Sequence, residues 1–299
     1  MDFTDALKEK RSHLSVNSLK TYNSCLRTIY KNCFPNDKEA DPAKFSSEHK
    51  KVSEYINSKP FNVRKTILAS LVCISPDVKD YKENMISDIK EYKEEIDKQE
   101  ESETQKANNI SHDEIRTVLS ELKRQADAIY KRKYINNDDL QKLQDYILVC
   151  LLGGFYIVPR RAMDYTELKI RNVGPDDNAI DKNKLVFHKF KTAKFYGKQE
   201  IEMPVQLKNI LNKYISVIPE QTEYLLFNVN GAKLNSVSLN QRLNKIFNGK
   251  ISINALRHAY LTDKYASTMK ETQKMNEELS EMGSSSAQAK TYVKLNTEK

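Results

Sequence analysis

The sequence predicts a mainly α-helical protein with one small β-hairpin or sheet, divided into two domains. Three observations carry this. Apolar residues recur at helical spacing along most of the chain. Only 7 Gly and 8 Pro are present to interrupt them. One short stretch reads as two strands about a turn. At 299 residues the chain exceeds the usual single domain. With 39% hydrophobic residues it has the means to bury a core and is not a disordered chain.

Leu19, Tyr22, Leu26, Ile29 and Tyr30 fit one helix face, as do Ile67, Leu68, Leu71 and Val72, so residues 1–98 read as a small helical domain. Lys20, Arg27, Lys31, Arg64 and Lys65 fall between these stripes, where DNA phosphates and plain solvation are both open readings. Residues 99–110 are charged and polar with almost no apolar anchor, the composition of a linker. Ser111-His112-Asp113-Glu114 then has the form of a capping box ahead of Ile115, Val118, Leu119 and Leu122, and opens a second domain, 111–299.

In this second domain an apolar helix over Asp139–Leu152 ends at Gly153-Gly154, since glycine readily adopts the left-handed conformation that closes helices. Lys184–Phe190 and Lys198–Pro204 read as two strands about a turn holding Lys191, Lys194 and Gly197. Further helices are expected over Val205–Ile215, Leu239–Phe247, Ile253–Ser267 and Glu271–Met282. The last of these is a candidate subunit contact, although a charge-rich helix is usually solvated.

Lys and Arg exceed Asp and Glu by 49 to 41, a net charge of +8 that favours a polyanionic partner. Cys25, Cys33, Cys73 and Cys150 lack CxxC spacing, which argues against a zinc site or a disulfide framework and for reduced core residues. No apolar run approaches the length of a bilayer span and no signal-like segment opens the chain, so an intracellular, soluble protein is expected.

Breaking a phosphodiester without a metal requires a nucleophile, positive donors on the non-bridging oxygens and an acid for the leaving 5′ oxygen. Tyr292 offers the hydroxyl. Arg161 and Arg257 offer planar forks that donate in parallel to phosphate and hold their charge. Lys191 offers the proton, with Lys189 and Lys194 in the same turn as alternatives. Asn254, Arg257 and His258 lie on one helix face at i, i+3 and i+4, although a core role for His258 is also open. Asp164 reads as a partner that orients a neighbouring cation.

Together these residues resemble the tyrosine recombinase, or phage-integrase-like, family. Pro159-Arg160-Arg161-Ala162-Met163-Asp164 resembles its first arginine box, Lys191-Thr192 its hairpin lysine, and Asn254-Ala255-Leu256-Arg257-His258 its H-x-L-R-H box. Met282-Gly283-Ser284-Ser285-Ser286, with Tyr292 following, resembles the last box and its nucleophile. Order and spacing match together over residues 110–299, and the helical residues 1–98 resemble the family's core-binding domain in size and position. Asn254 stands where the family has histidine, and Ser284 where it has histidine or tryptophan. Both still offer hydrogen bonds, but neither titrates near neutrality.

The resemblance implies a site-specific recombinase or integrase of a virus or mobile element. It would have a core-binding domain and a mixed α/β catalytic domain, join duplex DNA through a 3′-phosphotyrosyl intermediate, and need no metal or other cofactor. Its implied partners are duplex recombination sites and a homotetramer formed on DNA from a free monomer. If viral, it would work in the host cytoplasm or nucleus. The seven residues from Val293 leave little chain after the nucleophile to pack on a neighbouring protomer. A DNA-binding homologue with impaired chemistry, a type IB topoisomerase-like relaxing activity and an RNA-binding or scaffold protein are the rival readings. The phosphate contacts expected besides the catalytic set are Arg160, Lys189, Lys194, Arg64, Lys65 and Lys20.

Overall fold

The helix that follows Ser111 is set by the hydrogen bonds at its first turn. In a computed structural model, which describes residues 2–98, 100, 103, 106 and 108–293, the chain forms two units, Met1–Glu101 and Ser102–Lys299. Much of the stretch expected as a linker, and the tail beyond Val293, lie outside the described residues.

The first unit holds α1 (Thr4–Lys10), α2 (Val16–Cys33), α3 (Lys44–Ser47), α4 (His49–Asn57), α5 (Phe61–Ile74) and α6 (Lys79–Asp97). The Ser15 hydroxyl caps α2 by accepting from the Ser18 N–H. Phe3, Tyr30 and Phe45 form a buried aromatic cluster, with ring centroids 5.3–5.7 Å apart. Leu26, Ile29, Leu68 and Leu71 from the expected stripes are buried around it.

The second unit begins with α7 (His112–Ile129), where the Ser111–Glu114 capping box is formed in both directions. It continues with α8 (Asn137–Leu152), opened by a second capping box between Asn136 and Asp139. Leu143 and every residue from Tyr146 to Leu152 are buried, so the C-terminal half of α8 runs through the core and is apolar on all sides. Around it lie α9 (Ala162–Thr166), β1 (Leu168–Lys169), β2 (Asn178–Asp181), β3 (Lys184–Phe187), α10 (Ala193–Tyr196), β4 (Gln199–Glu202), α11 (Val205–Ile215), α12 (Ser236–Ile246), α13 (Ile253–Glu281) and α14 (Ser286–Tyr292).

The four strands form one sheet in the order β1-β2-β3-β4, parallel between β1 and β2 and antiparallel elsewhere, with Leu185 opposite Ile201. The protein is therefore mainly helical with a small sheet. The expected hairpin is present as β3 and β4, and β2 and the two-residue β1 extend it. Among the described residues no helix is long and apolar enough to cross a membrane. Cys33, Cys73 and Cys150 are buried, Cys25 is half-buried, and all four are free thiols.

One element departs from the sequence reading. Two helices are expected over 253–267 and 271–282, yet α13 runs unbroken for 29 residues. The intervening Thr268-Met269-Lys270 contains neither glycine nor proline, so nothing there removes a backbone donor or frees the chain to turn. The Thr272 hydroxyl donates to the Thr268 carbonyl within the same turn. The turn comes only at Gly283, at φ +66, after which Ser285 caps α14 by accepting from the Gln288 N–H.

Candidate active site

Arg161 is the exposed N-cap residue of α9, and Lys191 is exposed in the connection between β3 and β4. That connection is not a tight turn. It contains the single helical turn α10 and closes at Gly197, φ +65. Two neighbouring side chains tie the elements that carry Arg161 and Lys191 to each other.

Arg160 donates from Nε to Asp164 at 2.6 Å and from Nη1 to Gln199 at 2.7 Å, while its guanidinium lies over the rings of Phe187 and Phe190. Asn178, fully buried at the start of β2, donates to the carbonyls of Asp164 (3.0 Å) and Lys189 (2.8 Å). Its own oxygen accepts from the His188 and Lys189 N–H groups. All of its capacity is thus spent on fixing α9 against the chain that leads to Lys191. Burial pushes the Asp164 carboxyl above the ordinary range, against the pull of Arg160 and Arg161.

Asn254, Arg257 and His258 stand in the first two turns of α13, whose N-cap Ser252 accepts from the Ala255 N–H. Asn254 and His258 are exposed and Arg257 is half-buried, so His258 is not a core histidine. The next turn seats the helix. Gly154 has φ +80, and a side chain there would run into the Tyr260 ring, which packs directly on the glycine.

His112 closes the same joint. Its Nε2 donates to the Gly153 carbonyl at 2.8 Å, and Nδ1 lies 3.1 Å from the Asp263 carboxylate. Its ring stacks on Phe155 at 4.3 Å and meets Tyr260 edge-on at 6.2 Å. The segment from Gly154 to Arg161 therefore starts under Tyr260, one turn after Arg257, and spans at most about 25 Å.

Tyr292 is elsewhere. It ends α14 and is 74% exposed. The Ser284 N–H donates to the Leu279 carbonyl at 2.8 Å, the Ser284 hydroxyl lies 3.2 Å from Gln288 Oε1, and Leu279 and Ala289 are the two buried residues of this helical hairpin. Arg257 and Leu279 lie on one continuous helix and stand about 33 Å apart along its axis. Tyr292, three residues beyond Ala289, stays on the order of 25–30 Å from Arg257 in the same chain. Ser284 travels with Tyr292. The structure thus joins the elements carrying Arg161 and Lys191, seats Arg257 and His258 beside the segment leading to Arg161, and holds Tyr292 and Ser284 apart.

The expected phosphate contacts divide the same way. Arg160 is consumed inside the fold. Arg64 is bidentate on buried Asp88, Lys65 sits over the Tyr92 ring, and Lys189 pairs with Asp177 at 2.6 Å. These four are held by internal partners where solvent-facing side chains are expected, because each lies within reach of a carboxylate or a ring on the adjacent element. Lys20 and Lys194 are exposed and, among the described residues, unpaired. Asn178 and His112 are not singled out by the sequence. Asn178 sits in a polar run that reads as a loop, and His112 lies inside a capping box whose serine and glutamate explain the motif. Among the described residues no cluster of three or more His, Cys, Asp or Glu could hold a metal ion.

No protein-family model matches the chain, and no curated protein does. Among solved structures it is similar to the XerH site-specific recombinase bound to difH substrate in a pre-cleavage complex. The TM-score is 0.48 and the identity 14%, over 88% of this chain and 75% of that one.

Proposed function

We propose that the protein is a DNA breaking-and-joining enzyme of the tyrosine recombinase type, with Tyr292 as nucleophile. The observation that carries this reading is a sorting of side chains. Arg160, Lys189 and Asp164 are spent on internal partners, whereas Arg161, Lys191, Arg257, His258 and Tyr292 make no side-chain hydrogen bond or ion pair among the described residues. Unpaired arginines and lysine carried on braced backbone suit an absent polyanion, because no internal carboxylate competes for them.

In this mechanism Arg161 and Arg257 hold the non-bridging oxygens of the scissile phosphate. The Tyr292 oxygen forms a bond to phosphorus and gives its proton to His258, while the bond to the 5′ oxygen breaks and Lys191 protonates that leaving group. The 3′-phosphotyrosyl ester conserves the bond energy, so a 5′ hydroxyl of a partner strand reverses the step without a nucleotide cofactor. Asn254 adds a neutral donor to the clamp, and Ser284 orients the turn that carries the nucleophile.

A nicked duplex that lets the cleaved fragment diffuse away tests this, using a recognition sequence first selected from random duplexes. Wild type is expected to accumulate a covalent protein–DNA adduct and Tyr292→Phe none. The distance of Tyr292 from Arg257 favours one second reading, a DNA-binding homologue without chemistry. An absence of adduct from wild type, with binding retained, would establish it.

A further inference from the structure

On the proposed reading that the protein acts on duplex DNA, we infer that Phe195 and Tyr196 are an aromatic wedge, which enters the base stack close to the phosphate that Lys191 serves and holds it open. Both stand on the single helical turn α10 between β3 and β4. Phe195 is 86% exposed, the highest value of any large apolar side chain among the described residues, and Tyr196 is 68% exposed. Among those residues neither side chain meets another ring, a cation or a hydrogen-bond partner.

The turn that presents the two rings is fixed at its root. The Phe195 and Tyr196 N–H groups donate to the Thr192 carbonyl at 3.0 and 3.2 Å, and the Gly197 N–H donates to the Ala193 carbonyl at 2.8 Å. Phe190 is buried, Ala193 packs on the core of the second unit, and Phe187 pairs with Gln199 where the two strands meet the turn. A closed turn thus holds two large rings out in water. Exposed apolar groups set together in this way mark a surface that another molecule covers.

Charge selects the occupant. Residues 188–198 contain four lysines and no Asp or Glu. Lys189 and Lys198 are drawn to Asp177 and Glu200 on the flanks, at 2.6 Å each, while Lys191 and Lys194 are exposed and, among the described residues, unpaired. A nucleic acid offers phosphates to these lysines and base faces to the rings beside them, the pairing of contacts by which inserted side chains open a base step. Phe195 follows Lys191 by four residues and lies at most about 14 Å from it. The wedge therefore acts within about four base pairs of the phosphate that Lys191 serves. An opened step there frees the 5′ end to move away once the strand is cut.

Fluorescence of 2-aminopurine, which brightens as the base leaves the stack, tests the wedge. The selected duplex carries the probe in turn at each position within about four base pairs of the cleavage point mapped with wild type. Tyr292→Phe is the starting protein, so that no strand is cut. It is expected to brighten the probe at one step. Adding Phe195→Ala and Tyr196→Ala is expected to abolish the brightening and to weaken duplex binding about 10-fold, as for loss of a base-stacking contact. Adding Phe195→Leu instead keeps an apolar wedge and is expected to retain the brightening. Adding Lys194→Ala is expected to weaken binding and flatten its salt dependence while leaving the brightening in place. Brightening at no position, or brightening that survives the double alanine change, overturns the inference. So does a double alanine variant that keeps duplex binding and loses binding to phosphatidylserine vesicles, the mark of a tip seated in a membrane. In each of these cases adduct formation by wild type leaves the DNA reading standing. If the protein binds no duplex, that reading falls, and the wedge with it.

Discussion

The side-chain amide of Asn178 donates to the carbonyl oxygen of Asp164 at 3.0 Å, tying the first residue of β2 to the helix that Arg161 caps. The same side chain holds the backbone at 188–189, two residues before Lys191. A fully buried asparagine with all four bonds made is worth more than its surface neighbours. Its replacement leaves backbone groups unpaired out of reach of water. Asn178→Ala is expected to cost roughly 2–4 kcal/mol in denaturant unfolding. It is also expected to lower adduct yield under conditions where the variant is still folded, because both Arg161 and Lys191 lose their brace.

Adjacent arginines are expected to separate stability from chemistry. Arg160 is 15% exposed and paired with Asp164, which is 4% exposed, so Arg160→Ala strands a buried carboxylate and is expected to cost roughly 3–5 kcal/mol. Arg161→Ala is expected to change stability by less than about 0.5 kcal/mol. Its cleavage rate is expected to fall on the order of 10²–10³, as for loss of one donor to a transition-state oxygen. Thermal melting and single-turnover cleavage of the two variants give the comparison.

Position 154 accepts only glycine. Gly154→Ala combines a left-handed backbone with a collision against the Tyr260 ring and is expected to cost roughly 2–4 kcal/mol. Gly154→Ala combined with Tyr260→Ala is expected to fall short of the sum of the single costs, since removing the ring removes the collision. Full additivity in chemical denaturation would show that the ring and the glycine do not meet.

The Asp177 carboxyl is held far below the usual carboxylate range by Lys189, the Gly174 N–H and Lys169. A depressed folded value stabilises the protein above the unfolded carboxylate value, near about 4, and that contribution is lost as pH falls below it. Asp177→Asn is expected to be less stable than wild type at pH 7, with the gap closing as both are titrated toward about pH 2. Melting curves across that range check it, and a gap that stays constant would contradict the pairing.

Much of the fold is legible in the sequence because its determinants are local. Ser111 and Glu114 form a reciprocal cap four residues long, and the apolar positions of α8 repeat within a single element. The side chains of the candidate site are legible as residue types in order. Their pairing is not, because Asp88, Asp177 and Gln199 approach Arg64, Lys189 and Arg160 only after the elements pack. His112 and Asn178 escape notice for the same reason, as each acts through backbone atoms distant in the chain. The reading of α13 as two helices fails differently. Of residues 267–271 only Ser267 and Thr268 are weaker helix formers, Met269, Lys270 and Glu271 favour helix, and no breaker intervenes, so the helix continues through them. That one difference decides where Tyr292 lies.

Identification of the residue that becomes linked to DNA tests the proposed chemistry most directly. Wild-type adduct formed on the nicked duplex is digested with protease and nuclease, and the nucleotide-bearing peptide is sequenced by mass spectrometry. The expected result is a single 3′-phosphodeoxynucleotide on Tyr292, absent from Tyr292→Phe. Attachment to any other residue, attachment through a 5′ phosphate, or an adduct that persists in Tyr292→Phe would contradict it.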